Sequence, residues 1–183
     1  MRLVYWPDER LMQRCKEVKE ITPELLGLID EMREVARTEN GIGLAANQVG
    51  LDVRVCLVQL RLGDAPTVLI NPEIMKSEGE REVEEGCLSV PGYRGLVTRH
   101  EKVRVKAMGF DGKIYRVNAD ELLAQALEHE IDHLNGILYI DHLVSHESLY
   151  KVTYYEPDED EIDGEEDEGH EHSEPAESVT SED

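Results

Sequence analysis

The chain holds too few cysteines for a disulfide framework: Cys15, Cys56 and Cys87 are the only three in 183 residues, and an odd number cannot pair fully. A reducing compartment is therefore expected, with Cys15 and Cys56 serving as small packing residues. No early stretch joins a basic start to the roughly 7–15 apolar residues of a signal peptide, and no run approaches the ~20 apolar residues of a membrane span. Secreted and membrane-embedded classes are excluded on this reading, and a cytoplasmic protein without membrane contact is expected. Basic residues are scarce as well, with 19 Lys and Arg against 41 Asp and Glu and a formal net charge of −22. From Glu156 to Asp183 there are fifteen Asp or Glu and no Lys or Arg, so this segment carries −15 and the preceding part −7. Such a segment has almost nothing to bury and repels itself. Residues 156–183 are accordingly expected to be a disordered acidic tail, with His170 and His172 solvated.

Residues 1–155 have the length of one domain, and a chain that is 40% apolar can bury a sizeable core. Thr22-Pro23 reads as a helix start, and Leu25, Leu28, Ile29, Met32, Val35 and Ala36 repeat at helical spacing until Asn40-Gly41. The period then changes: Val53, Val55 and Leu57 alternate with Arg54 and Cys56, and a second strand is expected through Val68, Leu69 and Ile70. Val103, Val105 and Ala107 alternate into Asp111-Gly112, a hairpin turn, from which Ile114 to Val117 return. A helix, a set of strands and a late helix predict an α+β domain, in which mostly antiparallel strands cradle that late helix and an N-terminal amphipathic helix precedes them.

The late helix carries His129-Glu130-Ile131-Asp132-His133. Imidazoles four residues apart lie about 40° apart around a helix and one turn along it, so both can face one ion. Glu130, beside the first of them, can reach a water on that ion without binding the ion. Asn118-Ala119-Asp120-Glu121 reads as a capping box that starts the helix, and Gly136 as its left-handed stop. Leu122, Ala126, His129 and His133 follow one stripe, predicted to face the core. A third ligand is needed. The position where a related zinc motif places a third histidine is Tyr139, and Glu147 and Glu156 are weak downstream candidates. Upstream, Cys87 stands in Glu85-Gly86-Cys87-Leu88-Ser89, a soft ligand with a flanking glycine.

With these residues the chain resembles the peptide deformylases, which remove the formyl group from the N-terminal methionine of new polypeptides. Three stretches carry the likeness in the family's order: Gly41-Ile42-Gly43-Leu44-Ala45-Ala46-Asn47-Gln48, Glu85-Gly86-Cys87-Leu88-Ser89 and His129-Glu130-Ile131-Asp132-His133-Leu134. It extends from about Tyr5 through Leu143 and includes Trp6-Pro7-Asp8-Glu9-Arg10-Leu11 and Leu69-Ile70-Asn71-Pro72.

The resemblance implies that Cys87, His129 and His133 bind one divalent ion, whose water attacks the formyl carbon while Glu130 acts as general base and then acid. It implies Fe(2+) at the site, with Zn(2+), Ni(2+) or Co(2+) able to replace it. The Gln48 amide and the Leu88 backbone N–H would stabilise the developing oxyanion, and Gly43, Arg94, Leu122 and Ala126 would meet an N-formylmethionyl peptide. Gly41 and Gly43 suit a loop whose backbone approaches such a peptide. An endopeptidase with a downstream ligand and a silent binding module are the alternative classes. Transient ribosome association is a further expectation. The acidic tail is electrostatically unsuited to RNA, and a basic ribosomal protein would be its natural dock.

Overall fold

The structure is a computed structural model that describes residues 1–59 and 65–152. The expected tail, with His170, His172 and Glu156, lies outside the described residues.

Helix α1 (Pro23–Thr38) begins as its sequence dictates. The Thr22 hydroxyl accepts from the Leu25 N–H at 3.3 Å, Pro23 takes the first position, and Leu25, Ile29, Met32 and Ala36 form the buried stripe. Asn40 then adopts a left-handed φ of 52°.

Five antiparallel strands form one sheet: β1 (Gly43–Ala45), β2 (Val55–Val58), β3 (Thr67–Glu78), β6 (Lys102–Met108) and β7 (Ile114–Asp120), in the order β1-β2-β3-β6-β7. A second sheet has the order β4-β5-β8, from β4 (Arg81–Cys87), β5 (Val90–Arg99) and β8 (Leu149–Lys151). The α+β class is therefore as expected. The expected β6–β7 hairpin also forms, with Gly112 at φ 74° and Asp111 Oδ1 accepting from the Lys113 N–H at 3.0 Å.

Three details differ from expectation. The alternation in residues 53–57 predicts one solvent face, yet all four residues of β2 are buried and Arg54 with them, because both helices pack on this strand. Strand β3 runs well past Ile70, carried through Asn71-Pro72 by a register shift in which Asn71 takes φ 50° and its side chain brackets Val18, each bond 2.8 Å. Pro72 has no N–H to give the ladder, so a local irregularity there is what lets the strand continue.

The third difference concerns α2 (Glu121–Leu134). The capping box at Asn118 does not form: β7 continues to Asp120, the Asn118 side chain accepts from Arg104 Nε at 2.8 Å, and the Glu121 N–H donates to the Glu101 carbonyl at 3.0 Å. The helix is also rotated from the expected stripe. Ala124, Leu127, Ile131 and Leu134 face the core, whereas Leu122 is 58% exposed and Ala126 half-buried. His133 is buried as expected, while Glu128 and Glu130, off the expected stripe, are buried alongside the apolar residues.

The C-terminal end of α2 is tied down on several sides. Gly136 closes it at φ 76°, where a Cβ would lie 2.6 Å from the Met12 carbonyl, so only glycine lets the N-terminal segment cross there. The Cys15 N–H donates to the Leu134 carbonyl at 2.9 Å, and the Asn47 amide to that of His133. The buried Arg54 guanidinium donates to the Leu134 carbonyl at 3.2 Å, to Asn135 Oδ1 at 2.9 Å and to the Pro72 carbonyl at 3.0 Å. A cation here also opposes the negative end of the helix dipole.

Replacing Arg54 by Met keeps the volume and strands these acceptors in the interior. The Arg54→Met protein is expected to lose about 2–3 kcal/mol in urea unfolding; a loss under ~0.5 kcal/mol would show that the cap is dispensable.

Candidate metal centre

Strand β4 ends at Cys87, where the ladder with β5 shifts register between Gly86 and Cys87 and the chain turns through Leu88 and Ser89. The thiol faces α2. There its Sγ stands 3.2 Å from His133 Nε2, and one ligand atom each from Cys87, His129 and His133 lie within 4.8 Å of one another. Among the described residues no other group of three His, Cys, Asp or Glu side chains converges this way, and Glu147 is exposed and apart from it.

Backbone and side-chain donors surround the sulfur. The Ser89 N–H points at Sγ from 3.3 Å and Gln48 Nε2 from 3.5 Å. Gln48 follows β1 in a short helical turn, Ala46–Val49, and is 2% exposed. Its Oε1 accepts from the Ala45 N–H at 2.9 Å, which fixes the amide and sends its NH2 to Sγ and to Ser89 Oγ at 3.2 Å. Leu88 is half-buried and packs on the core and against Gly41.

Glu130 is 4% exposed, and its Oε2 has no hydrogen-bond partner. A Cβ on Gly43 would come 2.2 Å from Glu130 Oε1, so the carboxylate occupies the space that any other residue at position 43 would need. The glycine expected to admit a peptide thus also admits the protein's own acid. Burial raises the Glu130 carboxyl to about 7, with the Glu85 charge adding to the rise and His129 opposing it.

The two histidines differ. Burial, and then the charge on His129, hold His133 well below the ordinary imidazole value, which keeps a lone pair available. Burial acts in the same direction on His129, but hydrogen bonds to Cys87 and Glu85 outweigh it and raise its pKa well above the ordinary value. A divalent cation takes thiolate and neutral imidazole, so its binding to such a group releases protons.

His129 is oriented by a chain of partners. Its Nδ1 meets Glu85 Oε2 at 2.8 Å, which leaves Nε2 toward Cys87. Arg99 forks onto the same carboxylate through Nε at 2.8 Å and a terminal nitrogen at 3.0 Å, and its other terminal nitrogen reaches Asp132. Burial alone would raise the Glu85 carboxyl, but His129 and Arg99 bring it down to about 2. Tyr139 stacks beside His129 with centroids 6.3 Å apart.

Glu85, Arg99, Asp132, Ser89 and Tyr139 were not expected as site residues. Glu85 had a signal, since it lies two residues from Cys87 on a strand and hence on the same face. Of the expected substrate residues, Arg94 is exposed on β5 opposite Gly86, with its Cγ 3.4 Å from where a Gly86 Cβ would be. Leu122 is exposed on the first turn of α2, and Ala126 lies about one turn before His129.

A sulfur and two imidazoles converging beside a buried carboxylate are the kind of group that metal-dependent hydrolases use. The family model for polypeptide deformylase matches residues 1–148. The chain is 45% identical over 151 residues to peptide deformylase of Dehalococcoides mccartyi, covering 82% of this chain and 90% of that one. Among solved structures it is similar to a peptide deformylase from Legionella pneumophila, with a TM-score of 0.76 and 42% identity over 80% of this chain and 87% of that chain. A Synechococcus elongatus peptide deformylase solved in complex with actinonin gives a TM-score of 0.76 and 40% identity, with 80% of each chain covered. The chain belongs to the peptide deformylase family, metal-dependent hydrolases that act on nascent formylmethionyl peptides. Among the described residues no helix is long and apolar enough to cross a membrane.

Gly43→Ala is expected to push the Glu130 carboxylate from its seat and lower kcat/KM for formate release about 10²-fold, the usual scale for displacing a reacting group by ~1 Å. A loss under threefold in a folded variant would show that the seat is not set by Gly43.

Proposed function

We propose that the chain releases formate from the N-terminal methionine of newly made polypeptides, using one divalent ion held by Cys87, His129 and His133, with Glu130 as the proton carrier. The observation that carries the reading is the convergence of three ligand atoms next to a buried carboxylate with an unpartnered oxygen. The residues suit the ion chemically: one soft sulfur, one neutral imidazole, and a second imidazole whose far nitrogen is taken by Glu85. A divalent cation held by Cys87, His129 and His133 would supply Lewis acidity and make a water more acidic. Fe(2+) is the metal that family resemblance favours, with Zn(2+), Ni(2+) and Co(2+) as substitutes.

The chain's own groups do the rest. Glu130, raised to about 7, takes a proton from the attacking water and gives it to the departing amine, because a carboxyl poised there is effective in both directions near neutrality. The Gln48 NH2, locked by the Ala45 N–H, and the Leu88 N–H at the β4–β5 turn stabilise negative charge on the formyl oxygen. One such donor is typically worth about 2.7–4 kcal/mol in the transition state. Gly43 and Arg94 border the approach of the peptide, and Ala126 with the exposed Leu122 receives the unbranched methionine side chain. Transient ribosome contact and a cytoplasmic location complete the reading.

Glu130→Gln should abolish formate release from formyl-Met-Ala while one equivalent of divalent metal still binds. Cys87→Ala should lose both. Turnover by Glu130→Gln within tenfold of wild type would remove Glu130 from the mechanism, and full metal binding by Cys87→Ala would remove the sulfur from the ligand set.

A further inference from the structure

We propose that His142 is a positioning residue for the metal centre: through Asp132, Arg99 and Glu85 it holds the His129 ring in its ligating orientation, and so helps set the affinity of the site for a divalent cation. The inference rests on the reading of Cys87, His129 and His133 as ligands.

The path is continuous. His142 Nε2 lies 3.0 Å from Asp132 Oδ2, the same oxygen that Arg99 engages with one terminal nitrogen. The remaining nitrogens of Arg99 grip both oxygens of Glu85, and Glu85 Oε2 holds His129 Nδ1 at 2.8 Å. The Arg99 and Glu85 side chains are each 3% exposed, so neither has room to turn alone. A two-point fork transmits orientation because swinging it breaks both bonds at once.

The weak joint is Asp132, at 15% exposure. Its carboxylate can rotate toward water unless something fixes it from outside, and His142 is the outer contact. The short helical turn that ends in His142, Tyr139–His142, begins with the tyrosine that stacks beside His129. Its conformation is itself locked, with Asp141 Oδ2 accepting from the Leu138 N–H at 2.9 Å and the Tyr139 hydroxyl donating to the Tyr93 carbonyl at 3.2 Å. One turn therefore reaches His129 twice, once by ring contact and once along the polar path. Nε2 stands at ion-pair distance from Asp132 Oδ2 without the alignment of a hydrogen bond, and a small turn of a donor at this position brings it onto the carboxylate.

His142 is 37% exposed and carries little of the packing. Removing it should therefore act on the site more than on the fold. Partners beyond a metal ligand commonly change metal affinity about 10–100-fold, and this one lies at the far end of the path.

The test uses the full chain and Co(2+), whose thiolate absorption reports the Cys87 bond, titrated against a competing chelator. His142→Ala is expected to bind Co(2+) about tenfold more weakly than wild type, and His142→Gln, which retains a side-chain N–H donor, to stay within threefold. Urea unfolding of the metal-free proteins is measured in parallel, with Val68→Ala as a core variant that loses stability away from the path. Co(2+) affinity in His142→Ala within twofold of wild type overturns the proposal. So does a loss no greater than that of Val68→Ala at equal loss of stability, since the effect would then be general. If Cys87→Ala binds Co(2+) as tightly as wild type, the ligand set is wrong and both readings fall.

Discussion

A helix that turns two glutamates and a histidine into the interior must find a partner for nearly every polar atom they carry, and α2 recruits those partners from most of the fold. His100, at the end of β5, answers Glu128 with its backbone N–H at 2.9 Å and its ring at 2.6 Å. Glu85 of β4 answers His129, and Arg99 of β5 answers Glu85. Arg54 and Asn47 answer the carbonyls at the helix end. Among the described residues, the buried side-chain atoms left without hydrogen-bond partners include Glu130 Oε2 and His133 Nδ1 at the site, besides Asn47 Oδ1, two Arg81 nitrogens and His142 Nε2.

This arrangement explains why the site can be acidic and basic at once. Glu85 and Glu130 are both buried near His129, yet the first is driven down to about 2 and the second up to about 7. The difference is hydrogen bonding: the His129 ring and then the Arg99 fork bond the charge on Glu85, whereas His129 acts on Glu130 only as a nearby charge. One carboxylate is thereby fixed as a permanent anion that steers a ring, and the other is left able to exchange a proton.

Much of this was legible in the residues. The spacing of His129 and His133, the sulfur at Cys87, the start of α1 at Thr22-Pro23 and the β6–β7 turn at Asp111-Gly112 follow from local rules that tertiary packing did not override. The rotation of α2 was not legible, because a hydropathy stripe treats Glu128 and Glu130 as solvent-facing, and only their long-range partners reverse that. The β4–β5 hairpin was missed for a similar reason. Its strands are rich in charge, with Arg81, Glu82, Glu84, Glu85 and Arg94, and their apolar face is short, Val83, Val90 and Val97 against Tyr139. Asn118 has the composition of a cap, yet a cross-strand bond to Arg104 draws it into β7.

Gly43 links the sheet to the chemistry. Strand β1 is only three residues long, lies at the sheet edge, and pairs Gly43 with Val58 and Leu44 with Leu57. Sliding it by one residue would bring the side chain of Ile42 or Leu44 to the spot where the Glu130 carboxylate rests. Strand alignment and the seat of the Glu130 carboxylate are thus a single geometric variable, and a misaligned edge could fold only by evicting the acid.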